Sequence, residues 1–115
     1  MTKYAVAILL ALTMPASAED TNSANSFLPG CKSFLNQQMR TPTPPPLEAF
    51  QQGSCAGFVA GLLYGVEKIC RPKEVTFGQS VAVVVKYIQE RPERMHEDFG
   101  RLALEALTAA WPCKR

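Results

Sequence analysis

The sequence predicts an all-α fold, a small four-helix disulfide-stapled domain with a central Gly-rich helix, and three observations carry that reading. Apolar residues recur at three- and four-residue spacing, proline-rich breaks separate the repeats, and four cysteines, Cys31, Cys55, Cys70 and Cys113, are spread along the chain. The Gly-rich stretch is Gly53 to Val66, in which Gly53, Gly57, Gly61 and Gly65 return every four residues and no side chain is charged. On a helical wheel the glycines form a smooth, slowly drifting stripe with Tyr64 beside them, while Cys55, Phe58, Val59, Leu62 and Val66 cover much of the remaining circumference. A helix with no evident water face is expected to be enclosed. Four glycines cost roughly 2 to 4 kcal/mol relative to alanine, so something must press on the stripe to offset that. Two partners fit: another helix of the same chain, or a second copy across a homodimer seam.

Ahead of the helical region, Met1 to Ala18 reads as a secretory signal peptide. It has a basic start at Lys3, an apolar run from Tyr4 to Met14, and Ala16-Ser17-Ala18 at the positions a signal peptidase reads. The run is too short for a comfortable permanent anchor, and the Gly-rich helix is too short and too closely flanked by Glu48, Glu67 and Lys68 to span a bilayer. Cleavage after Ala18 would leave 97 of the 115 residues, one domain with one modest core, in an exported location, the periplasm. The leader removes Lys3, so 11 of the 12 basic residues remain against 10 acidic ones. A net charge of +1 argues against nucleic-acid binding and against electrostatic membrane binding. In an oxidising compartment an even cysteine count reads as two disulfides, and no close CxxC or HxxxH pair offers the zinc alternative.

The elements follow in order. Glu19 to Leu28 is expected to be a flexible N-terminus, and the helical domain is expected over 29–115. In the first helix Phe27, Cys31, Phe34, Leu35 and Gln38 have helical spacing, with Pro29 tolerated in its first turn. Thr41-Pro42-Thr43-Pro44-Pro45-Pro46 makes a stiff connection, and the central helix runs from Leu47 to Val66 or Lys68. After Cys70-Arg71-Pro72-Lys73-Glu74, Thr76 and Gln79 have the form of a capping box. That cap, with Phe77, Val81, Val84, Val85 and Ile88 at helical spacing, favours helix over strand for a valine-rich run. Pro92 is placed to open a fourth helix with the apolar stripe Met95, Phe99, Leu102, Ala103, Ala106, Leu107 and Ala110, which Trp111-Pro112-Cys113 ends.

Helix order then pairs the cysteines. If the first two helices fold back about Thr43, Cys31 and Cys55 stand level, each 12 residues away; if the last two fold about Pro92, Cys70 and Cys113 stand level, 22 and 21 residues away. Cys55 and Cys70, 15 helical residues apart, would be separated by about 22 Å, far beyond the roughly 7 Å a disulfide tolerates. The expected pairs are Cys31–Cys55 and Cys70–Cys113.

No catalytic constellation emerges, and neither a cofactor nor a metal is called for. His96 is the single histidine, so Ser-His-Asp or Cys-His chemistry would have to be built on it alone. His96-Glu97 lacks the second histidine of HExxH, and Glu90, Glu93, Glu97 and Asp98 alternate with Arg91, Arg94 and Arg101 as an ordinary charged face does.

Several motifs taken together resemble the Rap/Tai family of periplasmic immunity proteins: Cys55-Ala-Gly-Phe58 with Gly61, Cys70-Arg-Pro72, Val75-Thr-Phe-Gly-Gln79, Val83 to Tyr87, Pro92-Glu93 with His96, Glu105-Ala-Leu107 and Trp111-Pro-Cys113. The likeness covers roughly residues 50–113. It implies an all-helical disulfide-bonded protein, often a homodimer, that protects a bacterium by binding a type VI secreted amidase effector that cuts peptidoglycan peptides. The implied mechanism is steric, a loop and its surroundings plugging the cleft of a cysteine amidase. The loops where partner specificity is expected are Arg40 to Pro46, with Arg40, Thr41 and Thr43, and Arg71 to Thr76, with Arg71, Lys73 and Glu74. The alternative on the same scaffold is a periplasmic stress protein or chaperone.

Overall fold

The computed structural model describes residues 21–37 and 42–114. The expected signal peptide, Arg40 and Thr41 lie outside them. The helices are α1 (Ala24–Gln37), α2 (Pro46–Gly65), α3 (Phe77–Gln89) and α4 (Phe99–Ala110), with a 3₁₀ turn at Pro92–Arg94 between the last two. The all-α, four-helix architecture expected from the spacing is present, as are both disulfides: Cys31–Cys55 with Cα atoms 5.3 Å apart and Cys70–Cys113 at 4.9 Å. Two antiparallel hairpins, α1 with α2 and α3 with α4, are therefore each cross-linked.

The core is built mostly by the second hairpin. Val81, Val84, Val85 and Ile88 of α3 meet Phe99, Leu102, Ala103, Ala106 and Leu107 of α4, all buried. Helix α1 contributes Ala24, Leu28 and Cys31, and α2 contributes only Cys55 and Val59 to the buried apolar set. An aromatic knot joins the two hairpins. Phe27 stacks on Phe99 with centroids 4.5 Å apart, and Phe58 stands edge-on to both, at 5.7 and 5.6 Å. Offset and edge-to-face aromatic pairs of this kind add about 0.5 to 1.5 kcal/mol beyond area burial.

Two boundaries differ from expectation, each for a physical reason. Helix α1 begins at Ala24, five residues before Pro29, so residues 24–28 are not a frayed terminus. Main-chain bonds to the turn before α4 hold that end: the amides of Ala24 and Asn25 donate to the carbonyls of Glu97 and Met95, and the Phe99 amide donates to Asn22. Pro29 therefore sits inside the helix, where it removes one main-chain donor; the Asn25 residue four positions back is exposed, so water can serve its carbonyl. The fourth helix starts at Phe99 rather than at Pro92, because the Asp98 carboxylate accepts from the Arg101 amide at 2.9 Å and caps it there. The capping box at the start of α3 is present in full, with the Gln79 amide donating to Thr76 Oγ1 at 3.1 Å and the Thr76 amide donating to Gln79 Oε1 at 2.7 Å.

The enclosure expected for α2 is not found. Its inner side packs chiefly along α1, while Gly53, Gly57, Gly61 and Gly65 face outward, and a Cβ built on any of them meets nothing within 4 Å among the described residues. The close-packed glycines are others. A Cβ on Gly30 of α1 would collide with the Gln51 carbonyl of α2, and one on Gly100 of α4 would stand 2.6 Å from the Phe58 ring. Apolar character all round α2 misled the expectation, because the glycine stripe has no neighbour among the described residues.

Candidate partner-binding surface

The segment from Val66 to Thr76 joins α2 to α3 and carries three of the expected contact residues, Arg71, Lys73 and Glu74. It is long for a helix connection, and its ends are fixed by several independent ties. Ile69, itself buried, forms an isolated β-bridge with Pro112, and the Cys70 amide donates to the Trp111 carbonyl at 2.9 Å. The Cys70–Cys113 disulfide lies beside those bonds, so the segment is welded to the chain just beyond α4. Downstream, the Val75 amide closes a turn on the Pro72 carbonyl at 3.1 Å, and the Thr76 cap begins at once. Arg71 reaches back to donate to Ser80 Oγ at 3.3 Å, and Ser80 is fully buried. Pro72, Lys73 and Glu74 are left exposed at the tip of a rigid loop. A loop ordered before binding loses little entropy when it meets a partner.

The second expected contact segment lies at the other end. Of its residues Pro42, Thr43, Pro44, Pro45 and Pro46 are described, with Thr43 exposed. Helix α2 has 20 residues and so spans about 30 Å, which separates this connection from the Arg71–Glu74 loop. Within one chain the described residues of the two segments do not form a joint surface.

Between them runs the outward face of α2. Besides the four glycines it shows Leu47, Phe50 and Tyr64, at 70%, 72% and 94% exposure. Tyr64 was legible beside the stripe; Leu47 and Phe50 were missed, although Phe50 is seven residues before Gly57 and so two helical turns below it. The inner side of the same helix is tied to α1 by the Cys31–Cys55 bridge and by a polar clasp. Ser33 donates to Glu48 at 2.6 Å, and the buried Gln52 donates to Ser33 Oγ at 2.9 Å.

Of the charged residues that raised the question of chemistry, Arg94 and Glu97 form a structural clamp with Glu105. Arg94 donates to Glu97 at 2.6 and 3.0 Å and to Glu105 at 2.8 and 3.0 Å, and Tyr87 donates to Glu105 at 3.0 Å. These bonds hold both carboxyls below the ordinary carboxylate range, with partial burial opposing, and push Arg94 upward. Arg91 lies over the Tyr87 ring, 3.6 Å from its centroid. Among the described residues no group of three or more His, Cys, Asp or Glu is arranged to hold a metal ion, and no helix is long and apolar enough to cross a membrane.

What this surface offers is recognition: a stapled, mixed-charge loop and an open apolar helix face. Comparison with curated proteins and with solved structures returns no match. A family model described as Rap1a immunity proteins matches residues 23–113, from the bridge at Ser23 to the disulfide at Cys113 and through every element between them. The chain belongs to the Rap1a immunity protein family.

Proposed function

We propose that this protein is an exported immunity protein that binds a peptidoglycan-cleaving type VI amidase effector in the periplasm and blocks its cleft with the Arg71–Glu74 loop. Family membership supports an immunity role against a secreted effector; the observation that supports this loop as the blocking element is its double anchorage by the Cys70–Cys113 disulfide and the Ile69–Pro112 bridge, with its tip exposed. The Met1–Ala18 leader supports export, and an oxidising compartment suits the two disulfides. Inhibition is steric in this reading. The loop contributes shape, a cation at Lys73 and an anion at Glu74, and excludes substrate without altering a covalent bond. The homodimer expected from the resemblance is also proposed, with the outward face of α2 supporting it.

The test is protection. A panel of type VI amidases is directed to the periplasm of a bacterium with and without the full chain. Suppressed lysis by one of them is expected, and Lys73→Glu combined with Glu74→Lys should abolish protection while the secreted level and helical circular dichroism stay unchanged. Equal lysis with and without the chain across the panel would remove support for the amidase reading. The open apolar face also supports the chaperone alternative, for which suppression of client aggregation at pH 3 and not at pH 7 would be the signature.

A further inference from the structure

The loop that ends at Glu74 borders a pocket of about 390 Å³. Ala60 and Leu63 from the last turns of α2, Ile69 and Arg71 from the segment after it, and Phe77 at the start of α3 line the space. Its volume lies toward the lower end of the roughly 300 to 1,000 Å³ typical of binding clefts. Arg71 is the one charged residue among the described residues that line it.

The walls are fixed by bonds already made. Ile69 is buried and bridged to Pro112, and Phe77 follows the Thr76 cap and stands edge-on to Phe34 with centroids 5.8 Å apart. The Arg71 guanidinium donates to Ser80 Oγ at 3.3 Å, and the Ser80 hydroxyl in turn donates to the Thr76 carbonyl at 3.4 Å. A pocket formed in advance costs little ordering to fill.

Counter-charge separates Arg71 from the other arginines. Among the described residues, Arg91, Arg94 and Arg101 each have a carboxylate close by, at 3.9, 2.6 and 3.9 Å, whereas Arg71 forms no ion pair. Its hydrogen bond goes to a neutral hydroxyl, which leaves most of the five guanidinium N–H donors for another acceptor. That planar fork matches a carboxylate, and apolar walls strengthen such a pair by lowering the local dielectric.

We propose that this pocket receives an acidic side chain, glutamate or aspartate, projecting from the effector, its carboxylate on Arg71 and its stem against Ala60, Leu63 and Phe77. Apolar walls beside a single cation suit a carboxylate on a hydrocarbon stem better than a fully hydrated anion such as phosphate. The occupant comes from the effector because Arg71 adjoins the exposed tip at Pro72 to Glu74, so a protein that meets the tip also covers the pocket. Contact is then reciprocal, with the tip entering the effector's cleft and one effector side chain entering the pocket. Arg71 thereby sets which effector is recognised, since a surface with no acid at that place leaves the guanidinium unpaired. The word effector rests on the immunity reading, whereas the pocket's preference for an acid does not.

The test has two arms, both with the exported chain and its two disulfides. In the first, hexanoate is titrated into the ¹⁵N-labelled chain, with hexanamide as the uncharged probe of the same shape. Hexanoate should shift the amides of Leu63, Ile69, Arg71 and Phe77 with millimolar affinity, hexanamide should bind about 10-fold more weakly, and Arg71→Gln should bring the two probes together. Equal binding of both probes, or shifts elsewhere only, would overturn the acid pocket. The second arm uses the amidase that the chain blocks. Arg71→Glu should weaken inhibition on the order of 100-fold, Arg71→Lys should retain part of it, and Ala60→Trp should weaken it by filling the pocket with Arg71 in place. Acidic residues around the amidase cleft are then changed to arginine one at a time, and one such change should restore inhibition by Arg71→Glu. Failure of every change to restore it would overturn the effector side chain as the occupant. Hexanoate binding in a chain that blocks no amidase breaks the amidase reading and the effector clause with it, and leaves the acid pocket standing.

Discussion

Helix α2 presents two faces of nearly equal apolarity that have opposite fates. Gln52, Cys55 and Val59 are buried against α1 and the core, and their surroundings are specified to the atom by a disulfide and two side-chain hydrogen bonds. Phe50 and Tyr64, on the other side, are exposed, and a Cβ at Gly57 has open space among the described residues. The difference teaches that apolar content marks a surface for burial without saying which molecule buries it. It also separates two uses of glycine. Gly30 is required because Gln51 leaves no room for a Cβ, whereas the stripe glycines are unopposed among the described residues.

The contrast can be broken at several points. The largest loss is expected on removing the inner disulfide by Cys31→Ala with Cys55→Ala. Closing a 24-residue span contributes about 3.5 kcal/mol in the chain-entropy account, and both sulfurs are fully buried. Urea denaturation would read the change, and a loss below about 1 kcal/mol would show that the inner face is not what holds the hairpin. Next comes a matched pair. Gly30→Leu should destabilise by about 3 kcal/mol or prevent folding, since the added atoms meet main chain, whereas Gly57→Leu should fold normally and gain up to about 1 kcal/mol of helix propensity in the isolated chain. Similar damage from both would place the stripe inside the fold. A smaller effect, roughly 2 kcal/mol, is expected for Val59→Ala from lost burial and the cavity left behind.

Two weaker perturbations sharpen the comparison between the hairpins. Cys70 is exposed while Cys31 and Cys55 are not, so a graded dithiol titration followed by alkylation should open Cys70–Cys113 first. Release of Cys31–Cys55 first would contradict the burial. Acid acts on the other side of the molecule. Glu97 and Glu105 have carboxyls lowered in the folded state by Arg94, so their contribution is present above the unfolded carboxylate range and is lost as pH falls through the depressed folded values. Thermal unfolding should therefore lose stability below about pH 4, and Arg94→Gln should flatten that dependence; an unchanged acid profile in Arg94→Gln would show that the clamp is not its source.

Much of the scaffold was legible because its signals are local. The Thr76–Gln79 cap, the proline breaks and the level positions of the cysteine pairs each depend on short spacing within the chain, and the helix order and both disulfides follow from them. What failed depends on distant partners. The start of α1 at Ala24 is set by main-chain bonds to residues 95 and 97, some 70 positions away, which no local pattern announces. Met95 stands at helical spacing from Phe99, yet the cap at Asp98 and the Arg94 clamp hold the residues before Phe99 outside the helix. The proposed contact residues Arg71, Lys73 and Glu74 fall in an irregular stretch between helices, and the structure adds what anchors that stretch, the bridge between Ile69 and Pro112. Whether the α2 stripe is inside or outside is undetermined by periodicity, because a helix apolar on every side has no preferred face.

The measurement that bears most directly on the whole account is inhibition of an amidase by the purified protein. Turnover of a peptidoglycan peptide by the amidase that lyses the unprotected cell should fall to zero at one chain per effector, and the Lys73→Glu, Glu74→Lys variant, with both disulfides intact, should leave turnover untouched. Full turnover in the presence of excess wild-type protein, or equal inhibition by the loop variant, would contradict it.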